Sequence, residues 1–379
     1  MIGTIARGNI DIRKAIPPLA ATSTLAFHAW ASTPCVPLAF EIDHGIIPRV
    51  TITTAASAAL RRANDMSSLA LGALPSPVEA LERLRKTLGV GPHLLVKRDD
   101  AISFGFGGNK VRKLSIVVAD AVAAGADTLI TVGGIQSNHA RATAATAAKL
   151  GLRCHLIANG AKPDRLTGNA LLDALLGAEV EYVADRTERL PAMRRVAERL
   201  RSAGAKPAEI PLGASTSAGA IGFVRAIGEM VQQGVHPDVI VHATSSGGTQ
   251  AGIVAGCALH GLSARVIGVS ADDPAADVER TIRSIIAGME ERLGEPLADL
   301  ARDVSIEVDD TFVGGGYGMP TPASTEAQQL AARTEALFVD HTYTAKALAA
   351  LIAYVRDGRI PSDATVLFWH TGGQVGLFA

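Results

Sequence analysis

From Met66 onward, apolar positions follow two alternating periods. Short β-rich runs occur at His93–Val96, Thr128–Val132, Arg153–Ala158, Glu179–Val183, Asp238–Ala243, Arg265–Val269 and Thr365–Trp369. Between them lie stretches with helical spacing. After Gly107, Leu114, Val117, Val118, Ala121 and Val122 share one helical face. His139–Leu150 and Thr167–Leu176 are closed by Gly151 and Gly177, the usual stop signal. Further helices are predicted over 186–203 and from Gln250. Strands alternating with helices predict an α/β fold with a parallel sheet and helices on both faces.

The first 65 residues lack this alternation and carry scattered Pro, Thr and Ser. The stretch 13–31 resembles a secretory signal only faintly, because Pro17-Pro18, Thr22, Ser23, Thr24 and His28 interrupt its apolar part. Residues 1–65 therefore read as a loosely ordered extension, or as residues before a true start at Met66.

The 379-residue chain is long enough for two domains. With 48% hydrophobic and 19% charged residues it reads as a globular enzyme rather than a disordered chain. A net charge of −1 gives no basic field for nucleic acid, and no apolar run reaches membrane-span length. Cys35, Cys154 and Cys257 lie too far apart for a metal motif or disulfide framework, so no metal and a reducing cytoplasmic location are expected.

Three glycine-rich turns carry the candidate chemistry. Gly107-Gly108-Asn109-Lys110 places a lysine just before a helix, where glycines let the backbone approach a bound group. A Schiff-base lysine needs that geometry, although so short a motif taken alone more often marks a surface turn. Gly133 to His139 and Ser245 to Thr249 both end at helix N-termini, which favour an anion. Neither turn has the dinucleotide or P-loop spacing, so a single phosphate fits better than a nucleotide.

Together these pieces resemble the fold-type II pyridoxal-phosphate enzymes, in the branch holding D-cysteine desulfhydrase and 1-aminocyclopropane-1-carboxylate (ACC) deaminase. The matching stretches are Val96 to Asp100, Gly107 to Leu114, Gly134 to His139, Gly247 to Gly252, Gly316 to Pro320, Tyr343 to Lys346 and His370 to Gly373, with Leu74 to Pro77 resembling the family's opening. The resemblance spans Met66 to Ala379. It implies two three-layer α/β/α domains with parallel sheets, similar to the tryptophan synthase β subunit. The large pyridoxal phosphate-binding domain is expected over 66–114 plus 222–379, and a small inserted domain over 115–221. A homodimer acting on a small amino acid is also implied.

The same resemblance assigns roles. Lys110 carries the cofactor and moves a proton, with Lys113 on the phosphate side. Ser137 lies near the substrate α-carbon and carboxylate; its residue type also suits an N-cap. Gln136 holds the carboxylate, and Asn138 bonds the cofactor's ring oxygen. Ser246, Gly247, Gly248 and Thr249 form the phosphate cup. Tyr343 stacks on the ring and Tyr317 faces the reacting carbon. His139 and His370 are left as structural. Thr344 stands where ACC deaminases carry a glutamate at the ring nitrogen, and Thr371 where they carry a leucine. Both resemble D-cysteine desulfhydrase and favour β-elimination of a good leaving group. ACC deamination and elimination from L-cysteate or β-chloro-D-alanine are the alternatives. Ser103 to Phe106 and Gly314 to Gly316 match no one member and are expected to border the substrate pocket. An NAD-dependent dehydrogenase is disfavoured by the missing dinucleotide motif. A cofactor-free binding protein is disfavoured by Lys110, Ser137, Asn138, Tyr317 and Tyr343 occurring together.

Overall fold

The computed structural model describes residues 54–89, 91–294 and 305–379. In chain order the elements are α1 (Thr54–Asp65), β1 (Val78–Ala80), α2 (Glu82–Thr87), β2 (His93–Arg98), α3 (Asn109–Ala123), β3 (Thr128–Gly134), α4 (Asn138–Leu150), β4 (Arg153–Asn159), α5 (Gly168–Leu175), β5 (Glu179–Val183), α6 (Arg189–Ser202), β6 (Pro207–Ile210), α7 (Ser217–Gln232), β7 (Val239–Thr244), α8 (Gly248–Leu259), β8 (Arg265–Ser270), α9 (Ala275–Leu293), β9 (Ile306–Asp309), α10 (Pro322–Glu335), α11 (Thr344–Arg356) and β10 (Thr365–His370).

The strands form two sheets, ordered β1-β2-β10-β7-β8-β9 and β5-β4-β3-β6. Side chains alternate across each, as a period of two requires. In the larger sheet Ile240, Val266 and Leu367 face α1, α7, α8 and α9, while Val241, Ile267 and Phe368 face α2, α10 and α11. In the smaller, Leu129 and Leu156 face α3 and α4, while Ile130, Val132 and Ile157 face α6. Each sheet is thus the middle of three layers. Among the described residues all pairings are parallel except β1 with β2, so the expectation of purely parallel sheets fails at one edge. An antiparallel edge strand on an otherwise parallel sheet is common.

Helix α3 is buried on two sides. Val111, Leu114 and Val118 join the core of the smaller sheet, and Ile116 joins that of the larger. The predicted single face was therefore incomplete, and Val122 is exposed. The helix that begins beside Lys110 is gripped by both cores.

Residues 54–65, expected to be loosely ordered, instead form α1. Ala56, Ala59 and Ala63 lie three and four residues apart and are buried beside α7, α8 and α9. Arg225 of α7 closes its C-terminal end, donating to the Ala63 (2.7 Å) and Asn64 (3.2 Å) carbonyls. A stripe of alanines carries little apolar signal, which is why it was missed. The readings for residues 1–53, Cys35 included, lie outside the described residues. None of α1 reaches the cavity described below. A chain beginning at Met66 is therefore expected to keep kcat within about twofold while its Tm falls by several degrees. Calorimetry with steady-state assay checks both.

Candidate active site

Turns from both sheets surround one cavity of about 300 Å³. Most follow the carboxyl ends of parallel strands, where open α/β sheets bind ligands.

Lys110 enters from the first turn of α3. The glycines before it are required by close approach. A Cβ on Gly107 (φ +63°) would lie 2.4 Å from the Asp100 carbonyl oxygen, and one on Gly108 (φ +99°) 3.0 Å from that of Thr371. Burial lowers the Lys110 amine to about 8. Lys113, one turn on, is held well below its usual value by burial first and then by the charge of Lys110. Its amine donates to Ser215 Oγ at 2.9 Å, and that hydroxyl meets Ser246 Oγ at 2.7 Å. Lys113 thus supports the cup without lining the cavity.

The cup opens α8. Ser246, Gly247 and Thr249 line it, with Gly247 left-handed at φ +73°. Gly248 lies behind them, where a Cβ would meet Ser215 Cα at 2.8 Å. Asn109 Nδ2 donates to Thr249 Oγ1 at 3.0 Å, tying the lysine turn to the cup. A Cβ on Gly213 would sit 2.5 Å from Ser246 Oγ and 3.3 Å from Lys110 Nζ, so only glycine leaves this space open.

Ser137 caps α4, its Oγ accepting from Ala140 N at 3.2 Å, and it also lines the cavity. Asn138 lines it alongside. Gln136 does not: its side chain donates to the Thr167 carbonyl at 3.1 Å and accepts from Asn169 N at 2.8 Å. It braces the turn rather than facing a carboxylate. His139 bonds Thr131 Oγ1 at 2.8 Å, and burial followed by the nearby lysine charges keeps it neutral. His370 Nε2 lies 3.0 Å from the Phe338 carbonyl oxygen.

Tyr317 and Tyr343 close the far wall. Their hydroxyls lie 2.7 Å apart and their rings meet edge-on at 5.7 Å. Burial and the neighbouring phenol raise Tyr343 well above its usual value, so it stays protonated. Lys346 holds the Tyr317 loop by donating to the carbonyls of Val313 (2.8 Å) and Gly316 (2.9 Å).

Thr371 lines the cavity, but Thr344 does not. As the first residue of α11, Thr344 turns its hydroxyl to Asp340 Oδ1 at 2.7 Å, and Asp340 also accepts the amides of Thr342 and Tyr343. The expected place at the ring nitrogen is thus taken from Thr344 by local capping. Ser103 to Phe106 and Gly314 to Gly316 also lie off the wall, contrary to expectation. A Cβ on Gly105 would meet Ala145 of α4 at 2.9 Å, and one on Gly314 would meet Thr321 at 2.3 Å.

Several wall residues escaped the sequence reading: Gly213, Arg186, Arg189, Asp272 and Asp273. Arg186, after β5, reaches Asp272 (3.9 Å) and Asp273 (3.8 Å), after β8, across the mouth. Arg186 is exposed and both separations are long, so these pairs contribute little to stability.

The description "Pyridoxal-phosphate dependent enzyme" fits residues 69–372. D-cysteine desulfhydrase of Salmonella typhi is 38% identical over 313 residues, covering 80% of this chain and 93% of the relative. 1-Aminocyclopropane-1-carboxylate deaminase of Methylobacterium sp. (strain 4-46) is also 38% identical, over 321 residues and the same shares. Among solved structures, an ACC deaminase homologue superposes with a TM-score of 0.77 at 32% identity, covering 85% of this chain and 96% of that one. A pyridoxal 5'-phosphate-dependent aspartate racemase has a TM-score of 0.59 at 17% identity over 86% of this chain and 97% of that one, a likeness of fold alone.

Proposed function

The chain belongs to the pyridoxal-phosphate-dependent enzymes and is a lyase of that family, and on that premise we propose that it performs α,β-elimination on D-cysteine, giving pyruvate, sulfide and ammonia with one water consumed. One observation carries this reading: a half-buried, readily deprotonated Lys110 shares a small cavity with a hydroxyl-lined helix N-terminus and a pair of protonated tyrosines.

The residues fit the cofactor. Ser246, Gly247 and Thr249, backed by Lys113 through Ser215, would hold its phosphate. Asn138 would contact the ring oxygen, Thr371 and Tyr343 the ring. When bound, the cofactor supplies an electron-accepting ring for the pair left at the substrate α-carbon. Lys110 Nζ takes the α-proton, a task suited to an amine titrating near working pH. Ser137 Oγ orients the carboxylate. As the Cβ–S bond breaks, the Tyr317 hydroxyl, paired with Tyr343, gives the departing sulfur a proton.

Arg189 favours a second reading. It lines the cavity, and its Nε is held by the neutral Asn159 amide at 2.8 Å. A guanidinium so placed suits an anionic β-substituent, as in L-cysteate losing sulfite. ACC deamination is disfavoured by Thr371 on the wall. Purified holoenzyme should release sulfide from D-cysteine at least roughly tenfold faster than it forms 2-oxobutanoate from ACC. Faster turnover of ACC would sink the desulfhydrase reading, and sulfite from L-cysteate with neither other substrate reacting would favour the second.

The proposal includes a small domain over 115–221 set in a large one over 66–114 plus 222–379. The smaller sheet lies within that insertion, although both seams fall inside helices, α3 and α7. It also includes a cytoplasmic location and a homodimer, the dimer alone supported by the exposed Phe106 (58%), Leu175 (74%) and Phe378 (75%). No described helix is long and apolar enough to cross a membrane.

A further inference from the structure

The two ends of an asparagine amide are nearly alike in shape, so its partners decide which end points where. Around Asn138 those partners form a chain with only one consistent solution. Arg141, on α4, is 2% exposed and has only N–H donors. Its Nε donates to the side-chain oxygen of Asn169 at 3.3 Å. The other end of that amide must then be Nδ2. It lies 3.0 Å from the Gln136 backbone carbonyl, which can only accept, so both anchors agree. The same Nδ2 lies 2.9 Å from the side chain of Asn138. The atom of Asn138 facing it must accept, and is therefore Oδ1. Asn138 Nδ2 is left to the cavity, which Asn138 lines.

We propose that Asn169 is a positioning residue, with Arg141 behind it, that fixes the Asn138 amide so that its donor end faces the cofactor's ring oxygen. The inference rests on the reading of Asn138 as a cofactor contact. Asn169 is fully buried, and its backbone N–H is also held, by Gln136 Oε1 at 2.8 Å. Arg141 has a second duty. Its Nη1 donates to the carbonyls of Gly105 and Gly107, the latter at 3.2 Å, in the turn that leads to Lys110. One guanidinium thus sets both the lysine turn and the amide.

A donor on the ring oxygen favours the form of the lysine–cofactor linkage that has lost its proton, so losing the donor raises the pH at which that linkage titrates. Asn169→Asp keeps the acceptor for Arg141 but cannot donate. Asn138 should then turn its own Nδ2 toward the new carboxylate and present Oδ1 to the cavity. The readout is the pH midpoint of the visible band of the holoenzyme, followed in wild type, N138A, N169D and the double variant. Lys113, His139, Arg189, Asp272, Tyr317 and Tyr343 are unchanged in all four, as is Asp173, whose carboxyl interacts with Arg141 from the helix that carries Asn169 and is raised by burial to about 7.

N138A and N169D are each expected to raise the midpoint by about one to two pH units, as for loss of a charge-assisted hydrogen bond. In the N138A background, N169D should add much less, leaving only the through-space effect of its charge. Equal increments in both backgrounds would overturn the positioning role alone. An unchanged midpoint in N138A would instead overturn the cofactor contact on which it rests. If N169D fails to retain cofactor, N169A goes through the same cycle, since it removes the donor without adding a charge.

Discussion

Replacing Lys110 with alanine is expected to lower kcat/KM by roughly 10⁴-fold, the upper end for loss of a proton-transferring group, and to abolish covalent retention of the cofactor. Lys110, Lys113 and Lys346 compete for that role, and the structure separates them. Lys113 spends its amine on Ser215 Oγ, and Lys346 spends its own on the Val313 and Gly316 carbonyls. Only Lys110 of the three lines the cavity. Borohydride reduction followed by peptide mapping should mark Lys110, and a mark on Lys113 or Lys346 would refute the assignment. The depressed amine adds a pH signature. A lysine titrating at its usual 10.5 would be almost wholly protonated at neutral pH, whereas one lowered to about 8 is neutral in a useful fraction. The rate of cofactor loading by the stripped enzyme should rise with pH, follow the neutral amine and level off above about 8. A rate still climbing through about pH 10, the ordinary lysine range, would mean that burial does not govern this amine.

Much of the cavity could be read in the chain because glycine and serine turns at strand ends have a strong local signature. Gly107 to Lys110, Ser137-Asn138 and Ser246 to Thr249 announced themselves in this way. Arg186 and Asp272 stand at equivalent strand ends, after β5 and β8, but in turns without that signature. Applying the strand-end rule to every strand would have found them. The Gly213–Ser215 turn was out of reach, because β6 is only four residues long with one buried side chain, and it did not register as a strand. Thr344 failed for another reason. Position relative to a motif says which turn a residue occupies, while the direction of its hydroxyl depends on Asp340 competing for it. Asn169 carried no signal either, since its part depends on contacts with Gln136 and Arg141, each roughly thirty residues away in the chain.

Asp99→Ala is expected to be the most damaging single change outside the cavity, costing roughly 3–5 kcal/mol of stability. The motif Val96 to Asp100 looks like a surface charge run, yet the structure buries most of it. Asp99 is fully buried; it accepts from Arg112 Nε (2.9 Å) and Nη2 (2.8 Å), from Trp369 Nε1 (2.9 Å) and from Ser76 Oγ (2.8 Å). Arg112, 4% exposed, also donates to Glu229 Oε2 at 2.9 Å, and Lys97, fully buried, lies 2.5 Å from Glu229 Oε1. This network joins β2, α3, α7 and β10 beneath the lysine turn. Removing Asp99 leaves a buried guanidinium and an indole N–H short of acceptors, and an unmatched buried charge costs far more than its pair contributes. A stability of roughly 5–15 kcal/mol cannot absorb that loss without a visible fall in the urea midpoint. Glu79→Ala is the control. Glu79 pairs with Arg98 at 2.7 Å, but its side chain is 49% exposed, so less than about 1 kcal/mol should be lost. Comparable midpoints for the two variants would show that the buried network is dispensable. If it matters as argued, D99A enzyme that does fold should also load cofactor more slowly, because α3 and Lys110 rest on the same network.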